Sequence, residues 1–154
     1  MDVEILQFPE TRVAVLTHLG PPEREHETVQ RMIAWKLAQG LTDPLRHRSY
    51  GLHYGDPKHT AADMHRVDFC LSIEGDVAPN PYGIVAGVIP SLRCARARDI
   101  GSRADNRAAA FLVREWLPRS GEAWSGEPLI FHYVNVGPKL RDADAITDVY
   151  LPLR

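Results

Sequence analysis

Two cysteines in 154 residues are too few for a disulfide framework, and neither belongs to a Cys-x-x-Cys spacing. Cys70 and Cys94 each sit in a β-like run and read as small buried hydrophobes of a reduced, cytoplasmic protein. A charge excess is lacking as well. With a net charge of −2, the chain has no basic footprint for direct nucleic-acid binding. No apolar run approaches the roughly 18–20 residues needed to cross a bilayer, so no membrane association is expected. The opening MDVEILQFPE lacks a basic n-region and a long apolar h-region, and reads as a strand rather than a signal peptide.

Catalytic and metal signatures are equally scarce. There is no nucleophile elbow, phosphate loop or tight metal-ligand spacing. Ser49, Ser72, Ser91 and Ser102 have no flanking glycine motif. Of seven histidines, His53, His59 and His65 are evenly spaced, but two of them fall in a polar loop with no ligand-rich element. The expectation is no metal, no cofactor and no catalytic residue.

What the chain does contain is itself, twice. At an offset of 81, Gly20 falls on Gly101, Trp35 on Trp116 and Gly40 on Gly121. At 79, His53-Tyr54 falls on His132-Tyr133, and at 80 Asp68–Leu71 falls on Asp148–Leu151. The anchors stay in order, which points to a tandem repeat, about 1–75 and about 84–154 of one domain spanning 1–154. Hydrophobic content of 44% against 25% charged residues suits a globular core.

Each copy reads β-α-β-β. TRVAVLTHLG is a β-rich run, and Val29, Met32, Ile33 and Leu37 follow at helical spacing. Pro21 and Pro22 suit the helix entry, Glu23, Glu25 and Glu27 its N-terminal dipole, and Gly40 its C-cap. SYGLHY and RVDFCLSI are strands around the polar loop GDPKHTAADMH. The second copy repeats the plan with LRCARARDIG, a helix around RADNRAAAFLVREWL stopped by Pro118, and strands LIFHYVN and ITDVYLPL. EGDVAPNPYG links the copies, and IVAGVIP adds a strand. The fold class is therefore α+β.

These residues resemble the GyrI-like, AraC-type effector-binding domain family. The resemblance rests on Val13-Ala14, Gly20, Trp35, HYGDPKHT, HRVDFCLSI, IFHYVN and TDVYLPL, and covers essentially the whole chain in order. It implies duplicated β-α-β-β modules in a curved antiparallel sheet, two main helices on one side, and a ligand groove near a pseudo-twofold axis. It also implies a standalone, bacterial-type binder of aromatic or amphipathic small molecules, of the multidrug-binding kind. Hydrolysis of reactive small molecules in the same groove, or a gyrase-inhibitor-like protein interaction, are the alternatives. The sheet edges leave a homodimer or a protein partner open. The family pattern carries a strand carboxylate two residues before the later Tyr, and here that position is Phe131. A floor without an ionised acid at its centre follows.

Strand alternation places Phe131 and Tyr133 on one face, and the offset of 79 assigns Leu52 and Tyr54 to the same face of the first copy. Together with Trp35, Trp116 and Tyr150 these are the expected ligand-lining residues. Arg96 and Arg98 share a face and are candidates for turning the groove toward anions.

Overall fold

A computed structural model describes residues 1–55, 61 and 64–154. Most of the GDPKHTAADMH loop, including His59, lies outside the described residues. Eight strands form one antiparallel sheet: β1 (Glu4–Phe8), β2 (Thr11–Leu19), β3 (Ser49–Tyr54), β4 (Arg66–Ser72), β5 (Val85–Ile89), β6 (Leu92–Ile100), β7 (Leu129–Tyr133) and β8 (Ile146–Pro152). Their order across the sheet is β1-β6-β8-β7-β3-β4-β2-β5. Exchanging each strand with its counterpart in the other copy reverses that order without changing it. An approximate twofold therefore runs between β3 and β7. Burial repeats accordingly: β1 and β5 share one pattern, and β2 and β6 share another after their first residue.

The first strand of each copy pairs with the other copy, β1 along β6 and β5 along β2. The central joint is β3 against β7, with Gly51 directly opposite Phe131.

Helix α1 (Glu25–Ala38) follows a 3-10 turn at Pro22–Arg24. It buries Thr28, Met32 and Trp35, one stripe at helical spacing, against Ala14, Leu16, Leu71 and Ile84. Leu37 points to solvent instead. Helix α2 occupies residues 107–120: α-helical over Arg107–Phe111, π-helical over Leu112–Trp116 and α-helical again over Leu117–Ser120. Pro118 does not stop it. The wide turn carries the Leu117 N–H back to Leu112 O, and Pro118 then occupies the first turn of the next segment, where no N–H is needed. Leu112, fully buried with Ala95, Ala97 and Leu151, contributes about 2 kcal/mol by leaving water. Both helices end on a left-handed glycine, Gly40 (φ 71°) and Gly121 (φ 77°).

The opposite face carries its own core, with one residue from each strand: Phe8, Val13, Tyr50, Cys70, Ile89, Cys94, Ile130 and Tyr150. Phe8, on an edge strand, meets Tyr150 edge-on at 5.0 Å and the central Tyr50 at 5.9 Å. The sheet must curl to bring them together. Both thiols are free and buried, and burial pushes Cys94 up to about 11 and Cys70 further, which keeps them unreactive.

Asp68 pins this curl. Its buried carboxylate accepts from Thr17 Oγ1 on β2 (2.7 Å), Tyr54 Oη on β3 (3.0 Å) and the Arg66 guanidinium (3.0 Å). Asp68→Asn is expected to cost about 2 kcal/mol, because the amide cannot accept from all three donors. A lower urea midpoint at unchanged m-value checks this, and an unchanged midpoint would contradict it.

Candidate functional site

Facing positions across the β3–β7 joint decide the floor of the site. Ser49 lies opposite Tyr133, Gly51 opposite Phe131 and His53 opposite Leu129, so the odd-numbered residues of both strands share a face. That face looks toward the helices, and a cavity of about 510 Å³ lies between it, α1 and the start of α2. Its sheet side includes His53, Phe69, Phe131, Tyr133 and Val149. Glu25, Val29, Ile33 and Lys36 descend one side of α1 to form a wall. Asp99, Arg103 and Arg107 close the far end.

The floor is a set of uncharged rings. His53 stacks on Phe131 with centroids 4.1 Å apart, and its Nε2 lies 3.4 Å from Tyr133 Oη. Burial, reinforced by the charge of His65, lowers the His53 pKa to about 4, so the imidazole is neutral at physiological pH. Burial first and the Glu25 carboxylate second hold the Tyr133 phenol far above its ordinary value, while Arg103 opposes them. Tyr133 thus lies within the fields of an acid and a cation without ionising.

Gly51 makes room for that arrangement. A Cβ there would come within 2.7 Å of Tyr133 Oη and 3.3 Å of its ring. The tyrosine lies across bare backbone, a close approach that a glycine inside a strand permits.

Charged groups around the cavity are unequally matched. Glu25 Oε1 accepts from His65 Nε2 at 3.2 Å, and Asp99 pairs with Arg107 at 2.9 Å. Arg103 bonds only neutral oxygens: Thr147 Oγ1, the Asn135 carbonyl and side chain, and the Ile146 carbonyl. Its guanidinium lies 5.2 Å from the centre of the Tyr133 ring. Burial lowers the Lys36 pKa, and this ammonium has no ion-pair partner among the described residues.

Of the residues expected from sequence, Phe131 and Tyr133 lie in the cavity wall. Leu52 and Tyr54 do not. Counterparts across the joint differ by 80, not 79, and a one-residue slip turns every side chain to the other face. Leu52 packs into the opposite core, and Tyr54 donates to Asp68 beneath the Arg66 guanidinium. Tyr150 belongs to that same opposite core. Trp35 is buried under α1, and Trp116 packs against the core beneath α2. Arg96 and Arg98 also lie away from the cavity, paired to Glu4 and Asp148. The central strand position is Phe131, but Glu25 and Asp99 bring carboxylates to the walls. The sequence marks His53 as a repeat anchor and one of an evenly spaced histidine series, not as a cavity residue, and singles out neither Arg103 nor Lys36. The glycine inside SYGLHY was the available signal for a ring crossing the strand.

The family model for the GyrI-like small molecule binding domain matches residues 1–154. The chain belongs to this family. A probable transcriptional regulator, YgiV of Escherichia coli K12, is 34% identical over 99% of this chain and 96% of its own length. Among solved structures, the EcmrR C-terminal domain superposes with a TM-score of 0.76 at 17% identity, covering 99% of this chain and 97% of that one. SAV2435 bound to tetraphenylphosphonium gives a TM-score of 0.64 at 11% identity, covering 100% and 94%. At those identities the two structures show a shared fold. Among the described residues no helix is long and apolar enough to cross a membrane, and no group of three His, Cys, Asp or Glu residues is placed to hold a metal ion.

Two measurements check this geometry. Gly51→Ala should shift the Tyr133 ring at a cost of about 1 kcal/mol, lowering Tm by about 2–4 °C. An unchanged Tm would mean that the ring does not lie there. His53 titrates near 4 when folded and near 6.5 when unfolded, so the unfolded chain binds more protons between those values. Stability should therefore fall as pH drops through that window, by about 3 kcal/mol from this one group. His53→Gln should flatten the acid slope of Tm against pH; a slope as steep as wild type would contradict the buried neutral imidazole.

Proposed function

We propose that this protein is an effector binder that holds one small, flat, ring-bearing molecule in the cavity between α1, α2 and the centre of the sheet. The observation that carries the reading is the floor: the uncharged rings of His53, Phe131 and Tyr133, clustered and mutually tilted around the pseudo-twofold, under a cavity of drug-like volume. Neutral rings at the bottom of a half-open groove offer dispersion and stacking to a flat ligand, with Tyr133 Oη and His53 as hydrogen-bonding handles. The relation to YgiV, named as a probable transcriptional regulator, supports a role in sensing rather than turnover. SAV2435, a protein of the same fold, was solved bound to tetraphenylphosphonium, an aromatic ligand. In this chain a ligand of that kind would meet Phe131 at the floor, with Glu25 on the wall.

A thermal-shift screen of flat aromatic compounds tests the reading. A ligand at 100 times its Kd adds about 2.7 kcal/mol, which in a domain of this size raises Tm by about 5–10 °C. Ile33 lines the cavity from α1 and is 39% exposed, so Ile33→Trp fills the space without opening the core. Hits should lose their shift in that variant while its ligand-free Tm stays within a few degrees. Shifts that survive the filled cavity would place binding elsewhere.

A further inference from the structure

Around the cavity both carboxylates have partners, and two of the three lysine and arginine cations do not. Glu25 is engaged by His65 and Asp99 by Arg107. Lys36 enters from the last turn of α1, and Arg103 from the turn between β6 and α2. Neither has a carboxylate partner among the described residues, whereas nine other arginines hold one.

Arg103 is also held in place. Nε donates to Thr147 Oγ1 at 2.8 Å, and one terminal nitrogen donates to the Asn135 and Ile146 carbonyls, each at 2.8 Å. Its second terminal nitrogen makes no hydrogen bond among the described residues. Four neutral oxygens, the Asn135 side-chain oxygen at 3.2 Å included, orient the guanidinium but leave its charge uncancelled. The charge lies beside the aromatic floor, where lower effective permittivity strengthens attraction to an incoming ion. A fixed guanidinium from the β6–α2 turn and a flexible ammonium from α1, both lining the cavity, suit an oxyanion: one sets direction, and the other follows.

We propose that the ligand is an aromatic anion, a flat ring system bearing a carboxylate, with the ring on Phe131 and Tyr133 and the carboxylate between Arg103 and Lys36. This rests on the cavity reading above and narrows it to a charge class. Glu25, already occupied by His65, disfavours an anion at its own end of the cavity and so fixes the direction in which the ring lies. The two cations come from different copies of the repeat. At the offset of 81, Lys36 corresponds to Leu117 and Arg103 to Pro22, so neither charge has a symmetry mate.

Three probes of one ring size separate the possibilities: naphthoate, naphthylmethanol and naphthylmethylammonium, titrated calorimetrically into the full chain. Naphthoate should bind about 10-fold tighter than the alcohol, with the ammonium weakest. Lys36 makes no hydrogen bond among the described residues, so Lys36→Met should fold normally and weaken naphthoate at least about 5-fold more than the alcohol. Lys36→Glu should reverse the order of anion and cation. Added salt should weaken naphthoate more than the alcohol. If all three bind equally and Ile33→Trp abolishes them, the cavity reading stands and the anion assignment falls. The same holds if the ammonium binds best and Glu25→Gln removes its advantage. If none binds at about 1 mM, both readings fall.

Discussion

The five-residue pairing of β3 with β7 is the joint on which the molecule depends. It makes one sheet of two copies, places the pseudo-twofold between Gly51 and Phe131, and selects the side chains that look toward the helices. Register carries all of this. Shifting the pair by one residue would put Leu52 and His132 under the helices and send His53 and Tyr133 to the other face. Both faces of this sheet are buried near the joint, so neither alternative is neutral: each would bury polar groups without their present partners.

Symmetry at the joint is broken in ways that build the site. Where one copy has Phe131, the other has Gly51; where one has Tyr133, the other has His53. A large ring at every position would overfill the axis, and a glycine at every position would leave it open. One of each gives a tyrosine lying over bare backbone and an imidazole stacked on a phenyl ring. The walls diverge too, with Glu25 facing the cavity from one helix and Asn106 from the start of the other.

Most of the architecture was legible because it follows from local patterning. Alternating strands, the helical spacing of α1, capping glycines and the repeat all leave marks at short range, but of Val29, Met32, Ile33 and Leu37 only Met32 is buried. The offset was the weak point. A matching His-Tyr pair drew the alignment to 79, yet the ladder pairs Leu52 with Asp68 and His132 with Asp148, which requires 80. The pleat, not the identical letters, sets the register, so Leu52 and Tyr54 lie on the face away from the cavity. Pro118 misled for a different reason. Its effect depends on the hydrogen-bond ladder around it, and a π turn cannot be read from residue types alone. Arg103 is not legible in the sequence because a turn residue reveals its neighbours only when the tertiary contacts with Asn135 and Thr147 exist. Glu25 was understood as complementing the helix dipole, which it does, but its facing depends on the helix's rotation about its own axis.

The first strand of each copy lies along the other copy, β1 on β6 and β5 on β2. In effect the two halves have exchanged arms, the arrangement by which identical protomers form swapped dimers, here sealed within one polypeptide. Neither half could be excised with its own sheet complete, because each would leave behind a strand that finishes its neighbour. The chain must bring residues 70 to 92 positions apart into register before both edges are finished. Such wide loop closure favours slow, all-or-none assembly over stepwise docking of preformed halves.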